Sequence, residues 1–186
     1  EKGEIKSGLA DEMSVIFKTL GQVGEYWMSD PQRAMEAQGR LWTKYIDLWN
    51  SSLKRMMGEP STPAISADPR DKRFGDPEWD DNQFFDFVKQ IYLITSQWAE
   101  QLVVEAADLD EHTRHKADFY VKQIANALSP SNFVLTNPEL LRETLESNGE
   151  NLVRGMKLLA EDIEAGKGDL KIRQSDPTKF KVGKNL

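Results

Sequence analysis

Apolar residues Leu9, Met13, Ile16, Leu20, Val23 and Trp27 recur at alternating steps of four and three. That period places them on one helical stripe of the coiled-coil type. Gly21 and Gly24 interrupt the stripe, and each weakens a helix by up to about 1 kcal/mol relative to alanine. Asp30-Pro31 then supplies a side-chain cap and a proline where no N–H is required. The spacing predicts a second helix over 31–57, with Met35, Leu41, Trp42, Tyr45, Leu48, Trp49, Leu53 and Met56 on a wide apolar face and Gly58 as its stop. Joined at 28–30, the two helices predict a hairpin.

Periodicity stops at residue 59. The stretch 59–76 holds Pro60, Pro63 and Pro69 with Ser61, Thr62 and Ser66, which reads as a linker with a boundary near residue 67. The predicted organisation is a hairpin at 1–58, a Pro/Ser linker at 59–67 and a second, small helical domain at 68–186. In that domain Asp76-Pro77 repeats the cap-then-proline device. A long helix carries Phe84, Phe87, Val88, Ile91, Thr95, Trp98 and Leu102 on one stripe, widened by Phe85 and Tyr92. So aromatic a face must be buried, and it is the expected centre of the domain. Asp110 caps the next helix, whose expected buried face is Ala117, Tyr120, Val121, Ile124, Ala125 and Leu128.

A joint follows at 127–141. Ser129-Pro130-Ser131-Asn132 is a turn signal, because proline fixes φ and Ser and Asn bond to nearby backbone. Asn137-Pro138 is a helix start. Between them Phe133, Val134 and Leu135 predict that the joint is pinned to a core. A short helix over 138–147, an Asn148-Gly149 stop and a helix bearing Leu152, Val153, Met156, Leu159 and Ile163 come next, with Gly166 as its expected left-handed cap. The period then changes to two. Leu170 with Ile172, and Phe180 with Val182, predict short strands at 169–174 and 179–182. A lone two-stranded ribbon is marginal in water, and no other strand pattern exists here for it to join. With Glu1 first and a strand-like run last, the expectation is a fragment whose ribbon joins a sheet elsewhere.

The formal net charge of -7 argues against nucleic acid, since phosphate contacts need clustered Lys and Arg. A mean hydropathy of -0.60 describes a soluble chain. No charged-then-apolar leader opens it, and no run approaches the roughly 18 apolar residues of a membrane span. The absence of cysteine removes disulfides, thiolate metal sites and a cysteine nucleophile; it is compatible with the cytoplasm. There is no Gly-x-Ser-x-Gly or Gly-x-Cys-x-Gly elbow and no phosphate-cradling loop, so no catalytic or cofactor residue is assigned. His112 and His115 stand three apart near Asp108 and Glu111. A metal site needs three or four converging ligands, so these are read as a solvated surface. Arg70, Asp71, Lys72 and Arg73 are likewise read as solvated charges.

Ser129-Pro130-Ser131-Asn132-Phe133 followed by Thr136-Asn137-Pro138-Glu139 resembles the N-terminal region of bacterial poly(3-hydroxyalkanoate) synthases of the class I-like type. The resemblance extends upstream to Arg73-Phe74, Asp76-Pro77-Glu78-Trp79, the run 84–90 and Tyr92-Leu93. Downstream it includes 149–155 and 180–186, in the family's order over about 68–186. Gln83 departs from it, because the family often has proline after that asparagine. The resemblance implies a parent acyltransferase that joins (R)-3-hydroxyacyl-coenzyme A units into polyester and releases coenzyme A. It also implies that a Cys-His-Asp relay lies in an α/β-hydrolase domain following this region. No residue of that relay can be carried onto this chain. The implied partners are that catalytic domain, a second copy, the polymer granule surface and granule-associated proteins, with a cytoplasmic location at granules.

Two readings of the hairpin stay open. Amphipathic stripes usually pack into a core. Alternatively Trp42, Tyr45, Trp49 and Met56, with Met35 and Met57, form an adhesive face, since aromatics give large contact area and methionine adapts its shape. On the second reading a flexible linker frees 1–58 to lie on another surface while 68–186 does not bind. The structural joint is assigned to Ser129, Pro130, Asn132, Phe133, Asn137 and Pro138. The alternative function is a non-enzymatic helical granule-associated or adaptor protein.

Overall fold

The computed structural model describes residues 2–166, with side chains from residue 10 onward. The described residues are mainly helical and contain no strand. The expected ribbon at 169–174 and 179–182 lies outside the described residues, as do Phe180 and Val182. Two compact units divide the chain, Glu1–Leu140 and Leu141–Leu186.

In the first unit, α1 (Lys2–Met28) and α2 (Pro31–Met56) form the hairpin. Asp30 Oδ1 accepts from the N–H groups of Gln32 and Arg33 at 3.0 and 3.2 Å, and α1 runs unbroken through Gly21 and Gly24. Gly58 stops the second helix at φ 77°, a conformation that glycine adopts without strain. A single helical turn, α3 (Glu78–Asp81), precedes the central α4 (Gln83–Val104), and α5 (Glu111–Ala127) follows.

The expected long helix after Asp76-Pro77 is thus two pieces. Asn82 breaks it in an extended conformation, and its Oδ1 accepts from Phe84 and Phe85 N–H to cap α4. Gln83 occupies the first helical position, where a proline is equally acceptable because that N–H has no helical partner.

Two apolar clusters hold α1, α2, α4 and α5 together. Val23, Trp27, Ala37, Val103, Ala106 and Ala117 form one, and Leu41, Leu48 and Ile94 form the other. Two indoles tie the hairpin to α4. Trp27 Nε1 donates to the Leu102 carbonyl and Trp98 Nε1 to the Ala37 carbonyl, each at 2.9 Å. The proline-rich stretch is no free tether. Ser61 Oγ donates to the Ser51 carbonyl at 3.0 Å, Ile65 N–H donates to Gln90 Oε1 at 3.2 Å, and Ala64 and Ile65 pack on the Leu41 cluster.

The buried face of α4 is rotated from the predicted stripe. Phe85, Asp86, Lys89, Gln90, Ile94 and Val103 are buried, while Phe84 and Ile91 are exposed. Charge is buried because it is paired. Lys89 Nζ reaches the Trp79 carbonyl at 2.9 Å and Asp86 at 3.1 Å, and also bonds Asp80. Asp86 further accepts from Gln90 Nε2 at 2.7 Å and from Arg55 on α2. Arg73 is no free charge either. It pairs with Asp71 at 2.8 Å and donates to Tyr92 Oη and Asn126 Oδ1 at 2.9 Å, bridging α4 and α5.

The second unit takes in α6 (Pro138–Glu146) beyond Leu140, and α7 (Glu150–Ala165). Asn148 and Gly149 both turn through positive φ between them, 49° and 83°. Asn151 Nδ2 donates to Thr144 Oγ1 at 2.8 Å across that turn. Gly166 closes α7 at φ -83° rather than in the expected left-handed form. Its N–H bonds the Asp162 carbonyl, so the chain simply completes one more right-handed turn.

Candidate functional site

α2 carries two apolar seams, one buried and one open. Ala37, Leu41 and Leu48 point to α4 and are buried. Met35, Trp42, Trp49 and Met56, seven apart, stand on the other seam at 69, 59, 59 and 69% exposure. Ile46 joins them at 58%, and Leu53 is half-buried. A helix in a small unit needs one seam to dock. The second is surplus to folding, and it holds the largest side chains of the helix.

Of the four residues singled out from sequence, Trp42, Trp49 and Met56 share this open seam. Tyr45 lies at its edge. It is half-buried against the Leu41 cluster, and its hydroxyl meets Thr95 Oγ1 at 2.8 Å. Thr95 Oγ1 itself donates to the Ile91 carbonyl at 2.7 Å, so Tyr45 is the donor of that pair. Tyr45 still touches the seam through an edge-on contact with Trp42, ring centres 6.0 Å apart. Trp49 stands edge-on to Phe87 of α4 at 6.2 Å. A groove of about 380 Å³ opens beside it, walled by Leu53, Met56, Phe84 and Phe87 and floored by the Arg55–Asp86 pair. Phe84 was missed from sequence because its stripe was assigned to the core.

The joint is locked by its own polar side chains. Ser129 and Pro130 are buried, with Ser129 Oγ 2.8 Å from Ser131 Oγ. Asn132 Nδ2 donates to the carbonyls of Asn126 and Ala127 at 2.7 and 3.2 Å, which satisfies the open end of α5. Asn137 bridges: its Oδ1 accepts from Leu140 N–H at 3.1 Å and its Nδ2 donates to the Ser131 carbonyl at 2.8 Å. Pro138 is buried at the first position of α6. Phe133 is half exposed at 49%, and Leu135 is exposed at 75%.

Among the described residues no group of three or more His, Asp or Glu side chains gathers at metal distance. His115 lies 3.6 Å from Glu111, both at the surface. No described helix is long and apolar enough to cross a membrane.

The family model described as "Poly-beta-hydroxybutyrate polymerase (PhaC) N-terminus" matches residues 70–186. The chain belongs to that family. It is 55% identical to the poly(3-hydroxyalkanoate) polymerase subunit PhaC of Rhizobium etli, covering 100% of this chain and 30% of that protein. The corresponding subunit of Rhizobium meliloti strain 1021 is 52% identical over the same shares, 100% and 30%. A poly(3-hydroxyalkanoate) polymerase of Methylorubrum extorquens is 50% identical over 95% of this chain and 29% of its own length. The chain therefore spans about 30% of the length of these curated relatives. No solved structure matches it.

Proposed function

We propose that this chain is the N-terminal part of an enzyme that polymerises (R)-3-hydroxyacyl-coenzyme A into polyester with release of coenzyme A. On this reading its own work is to hold the enzyme at the polymer granule, to self-associate and to support the catalytic domain. The names of the relatives support the activity. In such chemistry an activated thiolate splits acyl transfer into two easier steps; this chain holds no cysteine and supplies none of that relay.

The open seam of α2 carries the granule reading. Trp42 and Trp49 each offer roughly 100 Å² of uncovered ring, taking a tryptophan as about 200 Å². At about 25 cal/mol per Å² each is worth about 2.5 kcal/mol when covered. With Met56 the three reach about 6 kcal/mol before ordering costs, enough for reversible adsorption to a neutral polyester surface. The seven-residue spacing of the same seam suits a second copy of α2. The division into 1–58, 59–67 and 68–186 is proposed as a division of labour. On this reading the hairpin, which precedes the start of the family match at residue 70, is the surface-binding part because it carries the open seam. The rival, a non-enzymatic granule coat, is disfavoured by relatives that are named polymerases.

A fluorescent fusion of the whole chain, imaged in polymer-accumulating cells, tests this. The parent should ring the granules, and the combined Trp42→Ser, Trp49→Ser, Met56→Ser change should spread it through the cytosol. An unchanged ring would end the reading.

A further inference from the structure

Between α4 and α5 lies a second groove, of about 490 Å³, within the roughly 300–1,000 Å³ of small-molecule sites. Val88, Ile91 and Ala99 form one wall on α4, and Val121, Ile124 and Leu128 the other on α5. Pro130, Phe133 and Thr136 of the joint stand where α5 stops. Ile124 and Leu128 were expected in the core, yet they remain 44 and 64% exposed along this opening.

Two features select the occupant. In a chain with 30% charged residues, none of the groove's lining residues is charged. A charged ligand would lose its hydration there without compensation, so the groove suits a neutral one. The polar atoms that face it are hydroxyls. Thr95 and Thr136 spend their protons on the carbonyls of Ile91 and Pro130. Tyr92 Oη accepts from Arg73 Nη1, which leaves its own proton to give. Among the described residues the Ser96 hydroxyl makes no hydrogen bond. Tyr92 and Ser96 are four apart, so both side chains rise from one face of α4 on successive turns. An uncharged apolar trough whose lining hydroxyls include two with a proton to give suits a chain of apolar carbons punctuated by ester carbonyls, which only accept. A peptide segment would have to place every inward N–H on the few hydroxyl oxygens of the walls, chiefly those of Ser96 and Thr136. The joint's internal hydrogen bonds hold the end wall in place before any ligand arrives, which lowers the ordering cost of binding.

We propose that the groove between α4, α5 and the joint binds a single strand of oligo(3-hydroxyalkanoate), with Ser96 and Tyr92 donating to its ester carbonyls. The choice of ligand rests on the polyester reading above; the site rests on its own geometry and shares no lining residue with the α2 seam, which it meets only where Thr95 bonds Tyr45. Its role is to grip one strand, where the seam meets a bulk surface.

The test titrates the methyl ester of the (R)-3-hydroxybutyrate trimer into the methyl-labelled 186-residue chain, followed by NMR. Saturable shifts should be confined to the methyls of Val88, Ile91, Val121, Ile124 and Leu128. Ala99→Trp should abolish them by filling the trough. Leu128→Gln, at an exposed position with little bearing on folding, should weaken them in its own right. Ser96→Ala should weaken binding about tenfold, the effect of one net hydrogen bond, and an alkanediol of matched length should bind about as weakly to the parent. No saturable shift, or a diol that binds as tightly as the ester, would overturn the proposal. So would shifts at Ile46 and Leu53 alone, though these would leave the granule reading standing. Conversely, groove shifts that persist in the Trp42/Trp49/Met56 variant, with granule binding unaffected by that change, would end the granule reading and keep this one.

Discussion

Replacing Leu48 by alanine probes the contact on which the fold of the first unit turns. Leu48 is 1% exposed and sits between Leu41 and Ile94, with Tyr45, Ile65, Phe87 and Trp98 around it. The change deletes three buried carbons and leaves a cavity bounded by α2, α4 and the proline-rich stretch. Leu→Ala changes in cores cost about 2–5 kcal/mol. Rings on two sides resist collapse, so about 3 kcal/mol is expected here. For a chain of this size each kcal/mol moves the melting point by about 2–4 °C, giving a fall of about 6–12 °C. Ile46→Ala, two residues away on the open seam at 58% exposure, serves as the control and should stay within about 0.5 kcal/mol. Urea unfolding followed by far-ultraviolet circular dichroism measures both. If the two variants unfold together, α2 is not docked on α4 through this seam, and the assignment of its other seam as surplus fails.

Asn137→Ala removes both the cap of α6 and the bond to the Ser131 carbonyl; a loss of about 1–2 kcal/mol should appear in thermal melts. Asp86→Ala takes one buried carboxylate from Lys89, whose side chain is 4% exposed, and strips Arg55 and Gln90 of the same partner; it should cost about 3 kcal/mol in urea unfolding, with Asp80 and the Trp79 carbonyl still holding Lys89. Acid should destabilise the chain through two depressed carboxyls. The Arg73 guanidinium holds Asp71 below the ordinary value, and the hydrogen bonds that Thr113 donates do the same for Asp110. A carboxylate depressed on folding contributes stability above its unfolded pKa of about 3.9 and loses it as pH falls towards the folded value. Stability curves below pH about 4 should therefore flatten in Asp71→Asn and Asp110→Asn, and a parent-like slope in both would refute the assignment.

Caps were readable from the chain because they are local. Asp30, Asp110 and Asn137 each act on N–H groups within three residues. The wide apolar face of α2 was readable too, but not which of its residues face inward. Met35, Leu41, Trp42 and Leu48 all count as apolar, and only the position of α4 splits them into a buried and an open seam. On α4 the same ambiguity misled outright. Phe84 and Ile91 outrank Lys89 and Gln90 in hydrophobicity, yet the latter are buried because Asp80 and Asp86 meet Lys89, Asp86 and the Ile65 N–H meet Gln90, and Arg55 of α2 closes the network on Asp86. Compensation of that kind has no period in a sequence. Asn82 was hidden by a competing signal, since Asp76-Pro77 announces a helix start that lasts a single turn. The second groove was invisible for a related reason: Ile124 and Leu128 carry a core pattern, and nothing local says that α4 leaves them uncovered.

The central claim is that the open seam of α2 binds the polyester surface, and co-sedimentation tests it without a cell. The purified chain is mixed with amorphous poly(3-hydroxybutyrate) particles free of other proteins, and the bound fraction is measured against particle concentration. The parent should pellet saturably, Leu48→Ala should pellet less only as it unfolds, and the Trp42→Ser, Trp49→Ser, Met56→Ser variant, with its melting point retained, should stay in the supernatant. Equal pelleting of the parent and that folded triple variant would contradict the account.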